Sequence, residues 1–188
     1  MTMPPVPLSI APATSDADLA AVGGLVDAYA ASLGHDLCFQ GFDAERADLR
    51  AAYAAPGALL LARDADDVPV GCVAVRDRGA GTAEMKRLYV APAARGTGLG
   101  RRLAEAAVRH AANAGFRRLV LDTLATMTPA ISLYRSMGFR DTAPYYDNPL
   151  AGAVYLALEF GGSGERGAAS GESDNEVHAP SQQGRVPR

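Results

Sequence analysis

Residues 95–101 read Arg-Gly-Thr-Gly-Leu-Gly-Arg, between the run Glu84-Met-Lys-Arg-Leu-Tyr-Val90 and a clean amphipathic segment. Strand, glycine turn and helix therefore meet within a few residues, and a fold must accommodate that junction. The first turn of a helix leaves four backbone N–H groups without partners and carries a partial positive charge, which suits a phosphate or pyrophosphate. Gly96, Gly98 and Gly100 let a ligand approach the main chain closely, and Arg95 and Arg101 place a full charge at each end. Two common nucleotide motifs fail on spacing. A P-loop needs Gly-Lys-Ser/Thr where Gly100-Arg101-Arg102 stands, and a dinucleotide fingerprint needs glycine in place of Arg101.

Periodicity sets out the rest of the chain. A first strand is expected over residues 6–12, a helix from Ser15-Asp16 to about Ser32, and a second helix over 44–54 that stops at Pro56-Gly57. Short apolar strands follow at 58–63 and 68–76, joined by a turn at Asp64–Asp67, and then a strand at 83–90. The helix from Gly98 to Ala114 places Leu99, Leu103, Ala106, Ala107 and His110 on one face, with Glu105 and Arg109 spaced for an ion pair. A strand is expected at 117–123, then a helix capped by Thr128 with Pro129 at its first position and Gly138 at its end. Strands at 140–143 and 153–160 close the domain, here residues 1–160. Residues 161–188 turn to Gly, Ser, Glu, Gln and Pro and read as a disordered tail.

With 188 residues, 48% of them hydrophobic, the chain can bury one core, and it has no apolar run long enough to span a membrane. The N-terminus lacks the basic start and apolar run of a secretion signal, so a cytoplasmic location is expected. Cys38 and Cys72 read as free thiols, and His35, His110 and His178 show no ligand spacing, so no metal is expected. A net charge of -3 offers no general attraction to nucleic acid or to an anionic membrane. Lys86 is the chain's single lysine, and it lies in the strand that leads to the anion loop.

The spacing Arg95-x-x-Gly98-x-Gly100 resembles the acyl-CoA pyrophosphate signature of the GNAT superfamily of N-acetyltransferases. A second signature, Ala130-x-x-Leu133-Tyr134-x-x-x-Gly138-Phe139, follows about forty residues later in the right order. The resemblance spans roughly residues 6–160. It implies an α/β fold of the α+β type, with a mixed, mostly antiparallel sheet splayed in the middle and helices on both faces. It also implies direct acetyl transfer from acetyl-CoA to a primary amine in a ternary complex.

The same resemblance assigns roles by position. Glu84 stands where relatives that acetylate histones hold a general base; the alternative is a carboxylate salt-bridged to Lys86 or an arginine. Burial would raise its pKa, whereas Lys86 and Arg87 would lower it. The main chain of Leu88 would face the reacting carbonyl, with Tyr89 and Val90 beside the pantetheine arm. Arg95, Gly96, Thr97, Gly98, Leu99, Gly100 and Arg101 would hold the pyrophosphate. Tyr134 would protonate the departing thiolate, although Met127 stands where many relatives carry asparagine. Phe39, Lys86, Thr123 beside Asp122, Tyr145 and Tyr146 are candidates for the acceptor pocket, the last two in a connection where relatives build specificity or a homodimer contact. Lys86 shares a strand face with Glu84 and could recognise an acceptor carboxylate. A small-molecule amine is the expected acceptor; a protein lysine or N-terminus, or a sensor that binds acyl-CoA without turnover, are the alternatives.

Overall fold

The computed structural model describes residues 8–33 and 41–161. The expectations for Phe39, for Cys38 and for the tail from 162 onward lie outside those residues. Strands β1 (Ser9–Pro12), β2 (Ala58–Arg63), β3 (Pro69–Asp77), β4 (Thr82–Val90), β5 (Arg118–Leu124), β6 (Arg140–Asp141) and β7 (Ala153–Glu159) form one sheet in the order β1-β2-β3-β4-β5-β7-β6. Every neighbouring pair is antiparallel except β4 with β5. The parallel step requires a crossover, and helix α4 (Leu99–Asn113) supplies it.

Helices cover both faces, because residues that alternate along the central strands leave both sides apolar. On one face Leu99, Leu103, Ala107 and Ala111 of α4 pack with Phe139 against Val73, Val75, Met85, Leu119 and Leu121. On the other, Val22, Leu25 and Val26 of α1 (Asp16–Leu33) pack with Leu49 and Tyr53 against Leu59, Leu61, Cys72 and Tyr89. Cys72 is a buried free thiol, pushed up to about 12 chiefly by that burial. Among the described residues, no helix is long and apolar enough to cross a membrane.

Three local expectations change. The helix expected over 44–54 is two short helices, α2 (Phe42–Ala47) and α3 (Leu49–Ala52), because Asp48 leaves helical geometry and its carboxylate accepts from the Ala51 N–H at 2.9 Å. The cap of α5 (Thr128–Ser136) is Met127, with no side-chain hydrogen bond, so Thr128 is the first residue inside the helix instead of its cap. Glu105 pairs with Arg101 at 3.9 Å, the turn before it, in place of Arg109. His110 is half-buried, its Nε2 2.9 Å from the Pro56 carbonyl oxygen.

Candidate active site

The site starts from a defect in the sheet. Pairing between β4 and β5 covers Thr82–Arg118, Ala83–Leu119 and Glu84–Val120 and then stops. β4 nevertheless stays paired with β3 as far as Val90, and β5 with β7 as far as Leu124. The two strands therefore part after Glu84 and leave a wedge between them. On β4 the wedge begins at a bulge, where Cys72 faces Tyr89 but Ala74 faces Lys86, so β4 carries one extra residue. Arg87, at φ 54, absorbs it. A cavity of about 60 Å³ fills the wedge, lined among others by Lys86, Leu88, Asp122, Thr123, Met127 and Tyr134.

At the outer mouth of the wedge, Gly98 caps α4 in the left-handed conformation at φ 82, with no side-chain hydrogen bond to the first turn. Gly96 lies at φ 78, and a Cβ placed on either glycine would meet nothing within 4 Å. The helix start thus opens onto free space, which meets the geometric requirement for an anion held by main-chain N–H groups. Arg95 lies beside it, its Nε donating to the Val90 carbonyl at 3.2 Å and its guanidinium 5.9 Å from the Tyr89 ring. Thr97 donates to the Ala94 carbonyl at 2.7 Å, which fixes the turn. Arg101 instead ties α4 to α5, donating to Ser136 Oγ at 2.7 Å.

Tyr134 reaches the wedge from α5. It is buried against Phe139, ring centroids 5.8 Å apart, and burial holds its hydroxyl well above the usual tyrosine range. It is therefore a protonated donor at neutral pH. Thr123 lines the cavity too, and its hydroxyl is 3.5 Å from the sulfur of Met127.

The inner wall is polar and highly connected. Glu84 is fully buried. Its Oε2 accepts from Arg76 at 2.7 and 3.2 Å and from Arg78 at 3.2 Å; its Oε1 accepts from the Tyr145 hydroxyl at 3.2 Å, with Lys86 Nζ 3.5 Å away. Burial pushes the carboxyl up, but Lys86, then Arg76 and Arg78, outweigh it and hold Glu84 below the usual carboxylate range. Between burial and the neighbouring cations, which the sequence left open, the cations weigh more, Lys86 first. Glu84 is thus salt-bridged to Arg76, Arg78 and Lys86, the arrangement that the alternative to a base describes. Lys86 is 6% exposed, and burial pushes its ammonium down, only partly offset by Glu84.

Asp122 stands across the wedge on β5. Its Oδ2 accepts from Tyr146 at 2.7 Å and from Asn148 at 3.3 Å, and its Oδ1 lies 3.5 Å from the Tyr145 hydroxyl. Tyr145, Tyr146 and Tyr155 form an aromatic triangle with centroids 5.3 to 5.9 Å apart, and Arg78 stacks 4.8 Å from the Tyr145 ring. Burial, then the charges of Glu84 and Asp122, keep the Tyr145 hydroxyl protonated well above its usual range.

Sequence reasoning missed Arg76 and Arg78. The signal was the Gly79-Ala80-Gly81 turn: centring a hairpin there puts Arg76 directly opposite Glu84, as the register does. It also missed the pair Glu45–Arg87, both buried, with oxygens 2.7 and 2.8 Å from the guanidinium and Tyr53 donating to Glu45 at 2.7 Å. No local pattern links residues 42 apart. Among the described residues, no group of three or more His, Cys, Asp or Glu is placed to hold a metal ion.

A sheet opened at a parallel step, with a glycine-built helix start at its mouth, defines an α/β protein with room for an anionic ligand at the opening. Residues 28–139 match the model of the acetyltransferase (GNAT) family. An uncharacterized N-acetyltransferase of Schizosaccharomyces pombe is 43% identical over 160 residues, covering 84% of this chain and 98% of that one. Among solved structures, an acetyltransferase from Streptococcus agalactiae superposes with a TM-score of 0.68 at 22% identity, over 81% of this chain and 98% of the other. The Salmonella typhimurium protein yncA, solved with its cofactor acetyl-CoA, superposes with a TM-score of 0.63 at 21% identity, over 86% and 99%. The chain belongs to the GNAT family and is an acetyl-CoA-dependent acetyltransferase.

Proposed function

We propose that the protein moves an acetyl group from acetyl-CoA directly to the primary amine of a small molecule, with both substrates bound at once. The observation that carries this reading is the 60 Å³ cavity between β4 and β5, where the buried hydroxyl of Tyr134 shares a space with Lys86 and Asp122. A cavity of that size favours a compact acceptor. The open helix start at Gly98 supports the pyrophosphate assignment for Arg95, Gly96, Thr97, Gly98, Leu99, Gly100 and Arg101, with Tyr89 and Val90 beside the arm that leads inward.

Acetyl-CoA supplies a thioester, whose carbonyl is attacked by nitrogen and whose sulfur leaves as thiolate. The Leu88 N–H donates to the carbonyl oxygen as negative charge develops there; a preorganised donor of this kind is worth about 3–4 kcal/mol. Tyr134 holds the proton that the thiolate takes up, and its raised pKa keeps that proton in place until then. The acceptor's amine must be neutral, a form that about one alkylammonium in 2,500 adopts at pH 7, a cost of roughly 4.6 kcal/mol. Asp122, which lines the cavity, attracts the acceptor's ammonium by its charge, and the proton leaves through water before attack. Glu84 acts as a positioning residue that holds Lys86 by charge and Tyr145 by a hydrogen bond; Thr123 lines the acceptor cavity, and Tyr145 and Tyr146 stand behind it, against Glu84 and Asp122.

Incubation with isotopically labelled acetyl-CoA and a panel of amino acids, polyamines, aminoglycosides and short peptides tests this directly. The expected result is label on a small amine, with turnover falling sharply in Tyr134→Phe. Label on peptides alone would replace the reading with protein modification. Tight acetyl-CoA binding without any label would replace it with a sensor.

A further inference from the structure

Among the described residues, only Arg87, Asp67 and Ala80 combine a side chain with a positive φ, at 54, 62 and 50. Asp67 and Ala80 are exposed and lie in connections between strands, whereas Arg87 is buried inside β4. A residue with a Cβ resists the left-handed conformation, so in the middle of a strand something must hold it there. A dry ion pair does so. The Glu45 carboxylate, also buried, accepts from Arg87 at 2.7 and 2.8 Å and from the Tyr53 hydroxyl at 2.7 Å. The Arg87 guanidinium further lies 5.2 Å from the Phe42 ring. Glu45 and Phe42 belong to α2 and Tyr53 ends α3, so β4 is fastened at this point from the face opposite α4.

The same bulge aims a backbone group. Arg87 and Leu88 together oppose Val73, and the Arg87 carbonyl accepts from Cys72 Sγ on β3 at 3.4 Å. In a trans peptide the following N–H points the opposite way. The Leu88 N–H is therefore directed away from β3, the side on which the wedge opens and whose cavity Leu88 lines. From this geometry we infer that Glu45 is a positioning residue for acetyl transfer: through Arg87 it holds the bulge in its left-handed turn and keeps the Leu88 N–H aimed at the acetyl carbonyl. The inference rests on the proposed role of Leu88 as the donor to that oxygen. Glu45 lies outside the cavity lining, so it acts through Arg87 and touches no reacting atom. A donor stabilises developing charge only when it is aligned beforehand, because a hydrogen bond weakens steeply as it bends. A bulge relaxing towards ordinary strand geometry would turn the peptide plane, and the donor with it. A desolvated pair resists this better than a surface pair, since opening it leaves two buried charges uncompensated. No covalent step is added to the reaction.

The test follows the thioester carbonyl itself, by infrared difference spectroscopy of bound acetyl-CoA labelled isotopically at that carbon, and needs no acceptor. In the unmodified protein the carbonyl band is expected below its frequency in free acetyl-CoA, the mark of a hydrogen-bonded carbonyl. Two double variants remove both charges of the pair, so neither leaves a buried ion alone. Glu45→Gln with Arg87→Met keeps a side chain at φ 54 without its tether and loses most of the shift. Glu45→Gln with Arg87→Gly takes up the left-handed backbone without a Cβ and regains most of it. The Kd for acetyl-CoA stays within about threefold in both, because the anion site is built at a separate helix start. Glu45→Asp keeps the charge, shortens the reach by one methylene and loses part of the shift. A full shift in the Met variant, or an unaltered band in Glu45→Asp, overturns the inference while leaving the Leu88 role intact. Equal loss in the Met and Gly variants overturns it too, since the pair would then fill space without holding the backbone. An unshifted band in the unmodified protein removes the Leu88 role and the inference with it.

Discussion

The two halves of the site are built in opposite ways. The mouth at residues 95–101 consists of seven consecutive residues and presents main-chain N–H groups to open space, where a Cβ on Gly96 or Gly98 would meet nothing; the proposed anion site lies there. The inner wall draws Arg76 and Arg78 from the β3 end of a hairpin, Glu84 and Lys86 from β4, Asp122 from β5 and Tyr145 from the connection before β7, and works entirely through side chains. On the proposed reading the mouth meets a pyrophosphate, the same in every reaction of the class, for which a rigid backbone cradle suffices. An acceptor varies, and a wall of interchangeable side chains can be tuned to it. The wall is also structural, because a buried charge must be compensated at every moment of the protein's life, whereas the mouth is exposed.

That difference predicts which half tolerates change. The largest effect is expected from Glu84→Gln, which leaves three cations around a neutral amide; removing one partner of a buried ion cluster costs about 3–5 kcal/mol. Chemical denaturation measures it, and a loss below about 1 kcal/mol would show that the wall is not structural. The same carboxyl sets a pH dependence. Because its folded pKa is lowered, its stabilisation is complete above the ordinary carboxylate range and is lost as pH falls through the folded value, so the gap between Glu84→Gln and the unmodified protein should close in acid.

Next comes Tyr134→Phe, expected to lower kcat roughly a hundredfold, the lower end of what a general acid contributes, with acetyl-CoA affinity held within about threefold. Single-turnover kinetics with a titration of acetyl-CoA separates the two, and an unchanged kcat would remove Tyr134 from the chemistry. Gly98→Val forces a branched residue into a left-handed conformation at φ 82 and weakens acetyl-CoA binding by about tenfold or more, with a stability loss smaller than that of Glu84→Gln. Calorimetric titration that finds a normal Kd would refute the mouth as the anion site. The smallest effect belongs to Arg101→Ala, about two- to threefold in the same Kd, because its exposed guanidinium is already engaged by Ser136 and Glu105.

What could be read in advance follows the same division. The junction at 95–101, the order of strands and helices, and Tyr134 beside Gly138-Phe139 are local patterns, and the structure places each where the pattern put it. The exceptions are local too. Asp48 divides a helix because its side chain competes for a backbone N–H, and Met127 displaces Thr128 from a cap position by one residue. Glu84 shows where such reading ends. Its position on β4 and its neighbour Lys86 were legible, but its charge also depended on Arg76 and Arg78 from the hairpin partner and its hydrogen bonding on Tyr145, 61 residues away.

The sequence by itself determined the family and the glycine-built helix start, because glycine spacing is fixed within a few bonds. Only the tertiary structure decided that the sheet parts after Glu84, that Arg87 turns away to Glu45, and that Lys86 and Asp122 face one cavity. Those outcomes depend on how charges from distant segments are desolvated together, and that energy exists only once the strands have met.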